Sequence, residues 1–238
     1  MSEFNPEQIL QRLENSHNLI KYFPFVYIPE SYIIELCDRC IELFLNEPSV
    51  LNLSAPINIC GDTHGQFTDI LRIFDVIGKP GEKQFLFLGD YVDRGAQSIE
   101  NIVYLLTLKL LRPTSIYMLR GNHETEEVST VYGLRDECTR RYSYNVFAKL
   151  IRVFDVLPFV AIVSDTIFCV HGGITHESIE KLKEIKRPLE VNDSVPVVDL
   201  LWSDPGTGDG FVPSPRGISF IFGKEQAAQF MKDNNFSM

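Results

Sequence analysis

Residues 85–95 read Phe85-Leu86-Phe87-Leu88-Gly89-Asp90-Tyr91-Val92-Asp93-Arg94-Gly95: a short apolar run, a glycine, then two carboxylates and a guanidinium. Four apolar residues bounded by glycine suit a buried strand, and the glycine lets the backbone turn sharply where the strand stops. The same grammar recurs on both sides. Upstream, Ile57–Cys60 runs into Gly61-Asp62-Thr63-His64-Gly65; downstream, Ile116–Leu119 leads to Gly121-Asn122-His123-Glu124, and Ile167–Val170 to His171-Gly172-Gly173. Ile162–Val163 is a further short apolar run, and Thr68–Ile77 and Ser98–Leu111 between the runs read as helices. This βαβαβ rhythm predicts an α/β layering.

Each of four strand ends presents Asp, Asn or His flanked by glycine. In open α/β sheets the loops at the carboxyl ends of strands are where sites are assembled, because several strands aim side chains at one point there. One such Asp is as readily a helix cap or turn residue, and one such His a satisfied surface or core group; four in succession point to a shared site. The donors are oxygen and imidazole without thiolate, which suits manganese, iron or zinc. A carboxylate placed between two ligand groups, as Asp90 is, can bridge two cations.

Further out, helical patterns open the chain at Pro6–Leu19 and Ser31–Leu45, with Pro24 and Pro29 between them and Pro48 ending the second. Near the other end, Asp204–Pro215 reads as a Gly- and Pro-rich loop, Ile218–Phe222 as a strand, and Lys224 to about Lys232 as a helix. The chain has 238 residues, 45% of them hydrophobic, enough for one large globular domain. With 32 acids against 22 bases the net charge is −10, and no basic run offsets it, so nucleic acid is excluded as a partner. No apolar stretch is long enough to span a membrane, and the first residues lack the pattern of a secretory signal. Five scattered cysteines (Cys37, Cys40, Cys60, Cys138, Cys169) suit a reducing compartment, cytoplasmic with the nucleus as alternative. Cys37 and Cys40 form a CxxC, but they lie inside an amphipathic helix with no second pair and no preceding strand, so they read as buried reduced thiols.

The Asp-x-His-Gly, Gly-Asp-x-Val-Asp-Arg-Gly and Gly-Asn-His-Glu motifs at 62–65, 89–95 and 121–124 resemble those of the calcineurin-like metallophosphoesterases. Tyr132-Gly133-Leu134-Arg135-Asp136-Glu137-Cys138, Leu200-Leu201-Trp202-Ser203-Asp204-Pro205 and Arg216-Gly217-Ile218-Ser219-Phe220 are similar to the eukaryotic-type serine/threonine phosphoprotein phosphatases among them. The stretch 136–142 leans toward type 1 and Ser214–Gly217 toward type 2A. The resemblance implies an α/β (α+β) fold, a β-sandwich flanked by helices, with residues 1–50 a helical cap of the same domain and 51–238 the catalytic domain. It implies two divalent metal ions, manganese or an iron/zinc pair, one held by Asp62, His64 and Asp90 and the other by Asp90, Asn122 and His171. It implies attack on phosphorus by a hydroxide that the metals generate, with Arg94 and Arg216 as phosphate clamps, His123 as general acid, and Asp93 orienting and charging that imidazole. Phosphoprotein substrates and regulatory subunits are the partners it implies.

The resemblance also implies one more histidine on the second metal, in an Arg-Ala-His signature on a strand after the last helix. Here that helix is followed by Asn234-Asn235-Phe236-Ser237-Met238. The domain is therefore expected to lack its last strands and that ligand, and to leave a sheet edge exposed. His176, five residues past His171, is weighed as a substitute ligand and reads instead as an exposed loop histidine; His17 reads as a surface residue. Three readings rank in order: a protein serine/threonine phosphatase, another metallophosphoesterase such as a dinucleoside polyphosphate hydrolase, and a non-catalytic relative that binds without turnover.

Overall fold

The computed structural model describes residues 4–16 and 25–238. The chain opens with α1 (Pro6–Asn15), capped by Asn5, whose side chain accepts the Gln8 N–H, and with Pro6 in the first turn, where its missing N–H costs nothing. The sequence reading of that helix through Leu19, and of His17, runs outside the described residues. Helix α2 (Glu30–Leu45) follows. Then come β1 (Val50–Leu53), β2 (Asn58–Cys60), α3 (Phe67–Ile77), β3 (Phe85–Phe87), α4 (Ser98–Leu111) and β4 (Ile116–Met118). Three helices, α5 (Glu126–Tyr132), α6 (Leu134–Arg141) and α7 (Tyr144–Phe154), lead to β5 (Val160–Val163) and β6 (Ile167–Val170). The remainder is α8 (Ile179–Lys183), α9 (Val195–Trp202), β7 (Asp204–Pro205), β8 (Phe211–Pro213), β9 (Phe220–Phe222) and α10 (Lys224–Asp233).

Strand alternation places the layers. Strands β2, β3 and β4 pair in parallel, as the βαβαβ rhythm requires. Along β3 and β4, Phe85, Phe87, Ile116 and Met118 face a helical layer, while Leu86 faces the opposite side. A second sheet joins β1 to β5 in parallel and β5 to β6 antiparallel. Its Leu51, Ala161, Val163 and Cys169 meet Leu86 and Leu119 of the first sheet in a thin core between the two, so the two sheets form a sandwich. Val160 and Ile162 face outward onto another core with Ile179, Leu182, Leu200, Leu201 and Phe230, which covers the sandwich with α8, α9 and α10. A small third sheet, in the order β7-β9-β8, lies on that side.

On the helical side, α3 buries Phe67, Ile70, Leu71 and Phe74, an i, i+3, i+4, i+7 stripe. Helix α4 is buried along nearly its whole length, which forces partners on its charged residues. Lys109 donates to Glu47 and to the Pro113 and Ile116 carbonyls; Glu100 accepts the Val26 N–H and pairs with Arg141, which also reaches Glu137. Removing one partner of a buried ion pair leaves the other charged and unpaired. Arg141→Ala is therefore expected to destabilise the protein by about 3–5 kcal/mol, read as a lowered urea midpoint.

Strand β1 extends from residue 50 to residue 53, so the strand pairing crosses the expected boundary between cap and catalytic domain, and α1 and α2 share one core with α3, α4 and α7. The sheet edge expected to be bare is partly covered: Ser237 and Met238 run along β6, with the Phe168 N–H donating to the Met238 carbonyl and the Ser237 N–H to that of Thr166. All five cysteines are free. Burial pushes the Cys40 thiol up to about 12 and the Cys60 thiol up to about 11, and raises Cys37 and Cys138 as well. In the unfolded chain these thiols ionise near their ordinary value, so the folded state holds protons the unfolded state has lost. Stability should be fully present below about pH 8.5 and fall above it, by up to about 1.4 kcal/mol per pH unit for each thiol so raised. Urea midpoints at pH 8 and pH 10 check this.

Candidate active site

Because β2, β3 and β4 run in parallel, their carboxyl ends open onto one edge of the sheet, and the loops beyond them converge. The Thr63 and His64 N–H groups donate to the Asp90 carbonyl, and the Gly65 N–H to that of Tyr91. The next loop comes equally close: a Cβ on Gly121 would lie 2.3 Å from Asp90 Oδ1, so only glycine permits the approach. The convergence strains the backbone. His64, Asp90, Asp93 and Arg94 have φ of 35°, 55°, 70° and 62°, a region that costs most for a residue such as Arg94. Four strained non-glycine residues within two adjacent loops mark a site whose geometry is held by its surroundings.

The carboxylates and imidazoles face one another. His64 Nε2 lies 3.3 Å from Asp90 Oδ2 and 3.8 Å from Asp62 Oδ2. His171 lies 3.4 Å from Asp90 Oδ1 and 3.9 Å from Asp62 Oδ1, and its Nε2 is 3.2 Å from Asn122 Oδ1. His64 Nδ1 is 2.8 Å from the Val92 carbonyl, so that nitrogen carries a proton and the ring is oriented with Nε2 toward the carboxylates. His171 Nδ1 is buried and makes no hydrogen bond. An imidazole with one nitrogen orphaned near Asp62 and the other facing Asp90 and an amide oxygen is a costly arrangement for a protein alone, and it fits divalent cations.

Ligating atoms of Asp62, Asp90 and His171 cluster within 4.8 Å, as do those of His64, Asp90 and His123. In the second group His123 has no free nitrogen. Its Nδ1 is 2.7 Å from Asp93 Oδ2, and its Nε2 is 3.0 Å from Arg94 Nη2. Asp93 is fully buried, and its other oxygen accepts the Leu134 N–H. The His123 ring is packed edge-on against His64 and Tyr132.

Burial pushes the Asp90 carboxyl upward, but hydrogen bonding to His64 and the neighbouring His171 and His123 outweigh it and hold it below the ordinary carboxylate value. On His64, burial works against the charge, and Asp90 and the Val92 carbonyl prevail, raising its imidazole.

A cavity of about 280 Å³ opens onto this set, lined by Asp62, Asp90, Asn122 and His171 together with Arg94, Trp202, Asp204 and Arg216. Arg216 arrives from the loop between β8 and β9, and its guanidinium donates to both oxygens of Asp204, at 2.7 and 3.2 Å. All nine site residues singled out in the sequence thus meet around this cavity or directly behind it. His176 does not join them: its ring packs against Phe211 and Phe220, in a different cleft.

Sequence reasoning assigned no role to Glu124, the last residue of Gly-Asn-His-Glu. It is wholly buried, and its carboxylate accepts the backbone N–H groups of Asp90, Tyr91 and Gly121, pinning the Asp90 loop to the Asn122 loop. Burial and the nearby Asp90 push its carboxyl up to about 8, against those three donors. Asn101, from α4, ties the same region by donating to Thr63 Oγ1 and the Tyr91 carbonyl. Asp204 also has no role in the sequence reading; its signal is an acid two residues past Trp202, at the start of the loop that leads to Arg216.

Residues 55–238 match the calcineurin-like phosphoesterase family. Among solved structures, the chain is similar to a protein serine/threonine phosphatase from Saccharomyces cerevisiae described as having similarity to human phosphatase PP5. That alignment has a TM-score of 0.89 and 32% identity, and covers 99% of this chain and 75% of that one. A cold-active protein-tyrosine phosphatase from a psychrophilic Shewanella species aligns more loosely, at TM-score 0.47 and 20% identity over 66% of this chain and 52% of that one.

Proposed function

The chain belongs to the calcineurin-like phosphoesterase family, and on that premise we propose that it is a protein serine/threonine phosphatase, hydrolysing phosphoserine and phosphothreonine. The observation that carries the proposal is the single cavity lined both by Arg94 and Arg216 and by the Asp62, Asp90, Asn122 and His171 set. The similar yeast phosphatase supports the substrate class. Asp62, His64 and Asp90 would hold one divalent cation, and Asp90, Asn122 and His171 the other, manganese or an iron/zinc pair by the oxygen and imidazole donors. When bound, such cations supply Lewis-acid charge neutralisation and a water acidified to near neutrality.

The chain's own residues do the rest. Arg94 and Arg216 present planar forks that match two phosphate oxygens each, so they orient the phosphoryl group and neutralise its charge. With Arg94 donating to Nε2, the His123 proton sits on Nδ1, shared with Asp93. A phosphate that draws the Arg94 fork toward itself releases Nε2 to take a proton from solvent water, and the buried Asp93 carboxylate stabilises the imidazolium so formed. Nε2 then donates that proton to the departing serine or threonine oxygen. Phosphate clamps read little of the surrounding sequence, so we extend the proposal to regulatory subunits that select among phosphoproteins. The buried free thiols favour a reducing compartment, which we take to be the cytoplasm, with the nucleus as alternative.

The test is manganese-dependent phosphate release from a phosphoserine peptide by monodisperse protein, with a dinucleoside polyphosphate as the competing substrate. The expected result is faster turnover of the peptide. A preference for the dinucleotide would sink the phosphatase assignment, and no turnover of either by folded protein would leave a binding role.

A further inference from the structure

Asp199 lies on α9, is 5% exposed, and takes no part in the chemistry described above. Among the described residues no Lys or Arg pairs with it; its Oδ1 accepts from the Ser219 hydroxyl at 2.9 Å and its Oδ2 from the Thr175 hydroxyl at 3.3 Å. A buried carboxylate whose partners are neutral hydroxyls costs stability, and such a cost is ordinarily met where the group fixes something else. Here the two hydroxyls belong to two arms of the site. Thr175 sits on the loop that begins at His171, and Ser219 sits three residues beyond Arg216.

The Arg216 loop has few other restraints. It closes on itself through the Ser214 N–H to the Ser219 carbonyl, the Gly217 N–H to the Ser214 carbonyl, and the Arg216 N–H to Ser214 Oγ. Ser219 itself is at φ 57°, a conformation that a serine holds only under constraint. The hydrogen bond from Ser219 Oγ to Asp199 supplies that constraint. Five residues beyond Asp199, past the end of α9 and in β7, Asp204 grips the Arg216 guanidinium. The backbone of the arginine is thus set from Asp199 in the last turn of α9 and its side chain from Asp204 in β7.

We infer that Asp199 is a positioning residue for Arg216, holding the loop through the Ser219 hydroxyl so that the guanidinium presents its fork to a phosphate in the cavity. The inference rests on the phosphatase proposal only in taking phosphate as the ligand of Arg216. Its mark is therefore affinity for an oxyanion, which can be read without turnover. A single hydrogen bond to a charged group is worth enough that its loss should loosen orthophosphate binding about tenfold.

The experiment is calorimetric titration of the manganese-loaded protein with orthophosphate, for the unaltered chain, R216A, S219A, D199A and D199N, together with KM and kcat on the phosphoserine peptide and the thermal midpoint of each. S219A and D199A should weaken orthophosphate about tenfold and raise KM more than they lower kcat. D199N keeps an oxygen for Ser219 and should stay within about twofold of the unaltered protein. A variant that merely loosened the fold would lower the midpoint without the selective change in KM, and D199N checks this where D199A folds poorly. If R216A loses orthophosphate while S219A and D199A bind it as the unaltered protein does, the positioning role is overturned and the clamp stands. If the unaltered protein itself takes no orthophosphate, the clamp fails, and this inference falls with the reading it rests on.

Discussion

Asp90→Asn is expected to abolish manganese-dependent turnover and to weaken manganese binding by more than about a hundredfold, while leaving the fold intact. The separation follows from what each oxygen does. Oδ1 accepts the His123 N–H at 3.0 Å and lies 3.4 Å from His171, and Oδ2 lies 3.3 Å from His64. Asparagine keeps an oxygen for the His123 N–H, so the loop after β4 loses no backbone partner. It turns the other position into an NH₂, which offers no lone pair, and it removes the negative charge that both imidazoles face. Even an outer partner of a metal ligand is typically worth 10–100-fold in affinity, so the loss of a carboxylate shared between two ligand groups should exceed that. Calorimetric titration with manganese gives the affinity, and far-ultraviolet circular dichroism gives the fold. Manganese bound as tightly by the variant would remove Asp90 from the ligand set whatever happened to the rate.

The grouping of the candidate site was more legible in the sequence than the scaffold was, and the reason is physical. Asp62, His64, Asp90, Asn122 and His171 stand directly after short apolar runs, so their chemistry and their placement are local facts. The alternation in Phe85-Leu86-Phe87 and the stripe in α3 are local as well, and both elements appear where that pattern predicts. Strand β1 was missed because Val50-Leu51-Asn52-Leu53 is short, is interrupted by a polar residue, and owes its existence to pairing with β5 far along the chain. Strands β7 and β8 lie in the Gly- and Pro-rich stretch that reads as loop, and each is held by β9. Glu124 and Asp199 were invisible as functional groups for a related reason. Each acts by receiving hydrogen bonds from loops that meet only in the folded chain, and a lone acid in a sequence carries no record of its donors.

His123→Ala is expected to cut hydrolysis of an alkyl phosphate such as phosphoserine by roughly 10²–10⁴-fold, and to cut hydrolysis of an activated aryl phosphate far less. The contrast lies in the leaving group. An alkoxide departs only with a proton, whereas an aryl oxide of low basicity departs as the anion, so a general acid matters to the first and hardly to the second. Manganese affinity should be unchanged, since both ring nitrogens of His123 are already engaged, by Asp93 and by Arg94. Asp93→Asn refines the test. Asparagine can still accept the Leu134 N–H through its oxygen, which turns its NH₂ toward Nδ1 of His123. Nδ1 must then accept rather than donate, and the imidazolium loses the carboxylate that stabilises it. This variant should therefore show the same selectivity between alkyl and aryl substrates with the imidazole still in place. If both variants slow alkyl and aryl phosphates equally, His123 acts on the phosphoryl group through Arg94, not on the leaving oxygen, and the proton must reach that oxygen from solvent.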